Sequence, residues 1–164
     1  MFVVRCLSVA ALFLATAVSA APPPADPLRF FEGRTEDTGV MKVMFKQPYR
    51  THTISTGRIE PDGSLVLVQS VEDQGSVPHQ RVWHIRTASP GHYVGSMSDA
   101  AGPVVIDRIG DRYRFQLETK NHLSVEQWLT PLPGGMAASS SMMVRKLGMT
   151  VATNDGVIRR IPAQ

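Results

Sequence analysis

Short runs of alternating apolar and polar side chains, broken by a turn signal about every ten residues, constrain this chain more than any other feature. Met41, Val43 and Phe45 alternate with Lys42 and Lys46 around them, and Tyr113, Phe115 and Leu117 alternate with Arg114, Gln116 and Glu118. A period of two sends successive side chains to opposite faces, so these segments are strands with one dry and one wet face. Glu60-Pro61-Asp62-Gly63, Ser89-Pro90-Gly91, Gly110-Asp111 and the stretch from Pro131 to Gly135 supply turns, through residues whose backbones suit them. Asn154-Asp155-Gly156 reads either as a hairpin turn or as a bulge inside one long strand. No segment reads as a long amphipathic helix. Asp26 and Pro27 open a single helical turn, with Leu28 and Phe31 on one face and Gly33 as its stop. Roughly eight to ten short strands in consecutive hairpins suit an all-β fold, a sandwich or a closed barrel. The meander with a helical turn at its start favours the antiparallel up-and-down barrel.

The first twenty residues concern location instead of fold. Met1 to Arg5 is a short basic start, Leu7 to Val18 an almost unbroken apolar run, and Val18-Ser19-Ala20 a small-residue cleavage site. Together they read as a secretory signal peptide over residues 1–20, followed by a proline-rich tether over 21–26 and one domain over 27–164. Cleavage removes Cys6, the only cysteine, which precedes the apolar run and so is not placed for acylation. The mature chain is expected to be exported, periplasmic in a host with two membranes and otherwise secreted, and free of disulfides. Without Arg5 it carries 16 basic and 14 acidic side chains. No stripe of Lys and Arg suggests nucleic acid, and no later apolar run reaches spanning length.

A resemblance is carried by several spaced elements. They are Phe30-Phe31-Glu32-Gly33 after the proline-rich entry, Arg81-Val82-Trp83 in the fourth strand, Tyr93-Val94-Gly95 with Asp99 and Gly102, Gly110 with Tyr113, and Trp128 followed by Lys146-Leu147-Gly148. In this order the chain resembles the DUF3833 family of small exported bacterial proteins, over nearly all of its mature length. The resemblance implies a calycin-like, lipocalin-like barrel whose interior holds one small ligand. It also implies carboxylates where this chain has Gln69 and Gln127, and an Asn-Arg pair where it has Ser140-Ser141.

Candidate site residues follow from the strands. Arg81, Trp83 and Ile85 lie two apart and share one face of the strand over 79–87. Were that face inward, Arg81 would need a partner, with Asp99 the nearest carboxylate and Tyr113 a further donor. The resulting cavity would have aromatic walls drawn from Phe45, Trp83, Tyr93, Tyr113, Phe115 and Trp128, with Arg81 anchoring an acyl or other amphiphilic acid. The plainer reading makes Arg81 and Asp99 a structural pair closing one end, with Trp83 as core. No metal is expected: His79 and His84 face opposite sides, His92 and His122 adjoin turns, and the methionines, Met142 and Met143 among them, read as core filling. No cofactor is expected either. Sequence signatures of catalysis (a nucleophile elbow, a zinc-binding helix, a phosphate loop) do not occur. The sequence therefore reads as a non-catalytic exported barrel binding a small apolar or amphiphilic molecule. The alternatives are an envelope assembly protein with a filled barrel and, last, an enzyme; the oligomeric state is left open.

Overall fold

A computed structural model of the protein describes residues 26–162. The expected signal peptide and the expected tether up to Ala25 lie outside the described residues. The helical turn α1 (Pro27–Phe30) begins where the Asp26 carboxylate accepts the Leu28 N–H at 3.0 Å, satisfying one of the orphan donors of a helix start. Ten strands follow: β1 (Gly33–Val43), β2 (Tyr49–Ile59), β3 (Leu65–Val71), β4 (His79–Ser89), β5 (His92–Met97), β6 (Val104–Ile109), β7 (Arg112–Glu118), β8 (Ser124–Pro131), β9 (Ala137–Lys146) and β10 (Met149–Ile161). Each pairs antiparallel with its neighbours in sequence, and β1 pairs with β10 to close an up-and-down barrel.

Such a meander has two ends. The turns after β2, β4, β6 and β8 surround α1, while those after β1, β3, β5, β7 and β9 form the opposite rim. The α1 end is solid. Leu28, Phe30 and Phe31 pack against Leu65, Ile85, Ile106, Leu129 and Ile158, all buried, each side chain contributing roughly 1.5–3 kcal/mol by leaving water. Seating this plug requires Gly57 on β2: a Cβ there would run into the Phe31 carbonyl.

Three sequence expectations change. Strand β1 starts at Gly33, eight residues before the alternation at Met41, because its inward positions there are Thr35, Asp37 and Gly39 and lack an apolar signature. The chain also leaves β1 at Val43, so Phe45 falls in a turn and does not continue the alternation. Asn154-Asp155-Gly156 is neither turn nor bulge. It lies in the unbroken β10, whose register shift falls between Thr150 and Ala152.

Replacing Gly57 by Ala is expected to lower stability by about 1–3 kcal/mol by displacing the plug, read from urea midpoints of the mature protein. Gly102→Ala, where an added Cβ meets nothing within 4 Å, serves as control and should be near neutral.

Candidate functional site

Above the plug the barrel is hollow. The interior of its open half forms a cavity of about 250 Å³. Strand alternation decides what lines it: odd positions of β1 to β5, β7 and β8, and even positions of β9 and β10, turn inward. Met41, Val71, Met97, Leu117, Val125 and Val144 supply the apolar wall. Asp37, Asp73, Asp99 and Arg81 supply charge, and Thr51, Gln69, Gln127 and Asn154 hydrogen-bonding groups.

At mid-height Asp37, Gln69, Trp83 and Gln127 form a waist, below which a narrow extension of about 40 Å³ reaches Phe31, Phe115 and Leu129. The amides of the waist are held by their neighbours. The Trp83 indole N–H donates to Gln69 Oε1 at 2.6 Å, Gln69 Nε2 donates to Ser55 Oγ at 3.2 Å, and Gln127 Nε2 donates to Ser140 Oγ at 2.8 Å. Higher up, Asn154 Nδ2 donates to Thr51 Oγ1 at 3.2 Å. These cross-strand bonds fix the orientation of each side chain, as satisfied buried networks do.

Asp37 is different. Its carboxylate makes no hydrogen bond among the described residues, and burial, reinforced by the charge of Asp73, pushes its pKa from 3.8 up to about 6. The imidazole of His52, on the outer face of β2, counters this in part. His52 is itself bracketed by Glu36 (Nε2 to Oε1 2.9 Å) and Glu72 (Nδ1 to Oε2 3.4 Å), and these carboxylates raise its pKa.

The predicted site residues divide. Arg81, Trp83 and Asp99 line the cavity, so β4 presents its Arg81–Trp83–Ile85 face inward. Arg81 Nε donates to Asp99 Oδ2 at 2.9 Å near the open rim, with both side chains partly exposed; its charge is met before any ligand arrives. Phe115 belongs to the floor. Tyr93 and Tyr113 sit below, in the plugged core, their rings edge to face at 6.5 Å. The other two predicted lining residues, Phe45 and Trp128, are not inside the barrel at all. Phe45 is on the outer rim, and Trp128 faces outward, stacked under Arg112 at 4.4 Å with its indole N–H donated to Glu126 Oε1 at 3.1 Å. Parity explains the second: Gln127 takes the inward position on β8, which turns Trp128 away. Asp37 and Asp73 escaped the sequence reading, and Asn154 entered it only as part of a turn or bulge; alternation on β1 with Thr35 is the signal that marks Asp37.

Comparison with known proteins fits this barrel. The family model described as "Protein of unknown function (DUF3833)" matches residues 6–160. No curated protein matches the sequence. Among solved structures, the chain is similar in fold to the S-type phycobiliprotein lyase CPES from Guillardia theta, with a TM-score of 0.67 over 84% of this chain and 92% of that one, at 6% sequence identity.

Because the folded pKa of Asp37 lies above its unfolded value, the folded state favours the protonated form. That contribution is complete below about pH 4 and is lost as pH rises through about 6. Asp37→Asn removes the loss. The variant should match the native protein near pH about 4 and exceed it near pH about 8, by at most about 3 kcal/mol. Urea midpoints at the two pH values check this, and because His52 is present in both proteins its own titration largely drops out of the difference. A gap that does not grow with pH would mean the carboxyl is not held high.

Proposed function

The chain belongs to the DUF3833 family, and within it we propose that this member is an exported, non-catalytic binding protein holding one small amphiphilic molecule in the open half of its barrel. One observation carries the reading: a cavity of about 250 Å³ inside a closed barrel, lined by apolar side chains from six strands and polar at the waist. A space of that size and mixed lining suits a small organic molecule. Export rests on the signal-peptide pattern of residues 1–20, and the non-catalytic role on a sequence without catalytic motifs.

The charge balance of the lining refines the ligand. Arg81 is engaged by Asp99, which leaves Asp37 and Asp73 as the unmatched charges of the cavity. An amphiphilic acid anchored on Arg81 therefore fits less well than a molecule whose polar end donates hydrogen bonds or carries a positive charge. Such a group would lie against Asp37 and Gln127, with its apolar part along Met41, Leu117 and Val144. A filled barrel acting only in assembly is the poorer reading, because the upper half is hollow. The barrel likeness to a phycobiliprotein lyase supports a ligand-holding interior at the level of fold only.

Native mass spectrometry of mature protein purified without detergent tests this. The expected result is an added mass that leaves on organic extraction. In the emptied protein, Trp83→Ala and Asp37→Asn should each weaken rebinding of the extracted compound roughly tenfold or more, the loss expected when one well-placed polar or aromatic contact is removed. A bare mass, together with no uptake of the neutral fluorophore N-phenyl-1-naphthylamine, would reject the binding reading.

A further inference from the structure

Among the described residues three non-glycines have left-handed backbone conformations, Phe45 (φ 62°), His122 (φ 56°) and Leu147 (φ 51°), and all three lie in turns on the open rim of the barrel. Two of them are large and apolar. Phe45 occupies the third position of the turn closed by the Lys46 N–H donating to the Val43 carbonyl at 3.0 Å, a place where positive φ normally calls for Gly or Asn. Leu147-Gly148 is the two-residue loop between the paired Lys146 and Met149, where Asn-Gly is the usual solution. Strain of this kind persists where something other than folding requires the side chain.

Neither residue contributes to the core. Phe45 is 98% exposed and Leu147 91%, and on the same rim Val77 is 86% and Met149 64% exposed. The turns that carry Phe45 and Leu147 are neighbours, because β1 and β10 are paired up to Val43 and Ala152 and the Met44 N–H continues to the Val151 carbonyl. Charge is segregated with them. Residues 40–51 hold Lys42, Lys46 and Arg50, residues 142–153 hold Arg145 and Lys146, and neither segment holds an Asp or Glu. None of these five cations makes an ion pair among the described residues. The chain as a whole is close to charge balance, so five cations without an ion pair in two adjacent segments are a local feature, set beside Glu72 and Asp73 of the next turn.

We propose that this rim docks on the surface of an anionic phospholipid bilayer, with the Phe45 and Leu147 side chains entering the interface and the neighbouring Lys and Arg groups meeting the headgroups. Apolar tips ringed by cations are the composition that interfacial binding requires, and the two contributions act together. A protein partner of ordinary charge would leave these cations unmatched. The docking stands independently of whether the cavity is occupied, although it turns the cavity mouth toward the membrane.

Asn accepts left-handed backbone, so Phe45→Asn with Leu147→Asn removes the apolar tips while relieving strain. Sedimentation with phosphatidylglycerol–phosphatidylcholine vesicles at low salt should carry the native mature protein down, and added salt should weaken this. The double variant should partition roughly tenfold less at an unchanged or higher melting temperature. Lys46→Gln with Lys146→Gln should weaken binding to the anionic vesicles and leave pure phosphatidylcholine unaffected. Failure of the native protein to sediment, or equal sedimentation of the Asn variant, overturns the proposal. So does a concentration-dependent dimer that the Asn variant abolishes without any vesicle binding, which would make a second copy the occupant of the rim.

Discussion

Pairing of β1 with β10 is the constraint on which the rest of the structure depends. Until it forms, the nine other strand pairs make an open sheet with two long edges, each a row of unpaired backbone donors and acceptors. Once it forms, no edge is left, and the inward side chains of ten strands must share one interior. The contact has little tolerance at its centre, where Gly39 faces Gly156. A Cβ on Gly39 would lie 2.6 Å from Asn154 Oδ1, and one on Gly156 2.5 Å from the Thr38 carbonyl. The two strands thus approach as closely as only glycine allows, at the level where the solid half gives way to the hollow one.

A ten-strand barrel encloses more space than its own side chains fill, and here α1 takes up the difference at one end only. Phe30 and Phe31 enter from below and leave the upper half without an equivalent plug. The boundary between the two halves coincides with a change in side-chain chemistry, from Leu67, Ile85 and Phe115 to Gln69, Trp83 and Gln127. Polar groups at that level are acceptable because neighbouring strands satisfy them, Ser55 under Gln69 and Ser140 under Gln127. The two amides, Gln69 and Gln127, stand where the family resemblance implied carboxylates. The waist thus keeps the hydrogen bonding of a polar site, with Asp37 as the carboxylate at its level.

Alternation made the barrel legible, and its failures are equally physical. Where a strand has one apolar face, as in β7 with Tyr113, Phe115 and Leu117, period two identifies both the strand and its inner side. Where the inner face borders a wet cavity, polarity no longer separates inside from outside. The first half of β1 was lost in this way, and Asp37 with it. Aromatic content misled for the complementary reason. Trp128 has an apolar ring but spends it outside, under the Arg112 guanidinium, and Phe45 lies beyond the last paired residue of its strand. Arg81 and Asp99 show the limit most clearly: their pairing could be anticipated from the need to neutralise a buried charge, yet the pair lies at a solvated mouth where that need is weak.

The two ends of the barrel do different thermodynamic work. At the α1 end nearly every choice favours the folded state: a capped helical turn, fully buried aliphatic residues and a glycine shaped to its plug. At the open end the choices run the other way, with an unpartnered carboxylate at mid-height and three residues in left-handed turns, each strained turn costing on the order of 1 kcal/mol or more. A domain stabilised by only about 5–15 kcal/mol can carry such residues only because the other end is well packed. Residues that lower stability, and are concentrated around one opening, are explained by what that opening does and not by how the chain folds. Changes at Phe45, Leu147 or Asp37 should therefore act on binding while leaving the barrel as stable or more so, whereas changes at Phe31 or Gly57 should act on the barrel first and reach the cavity only through it.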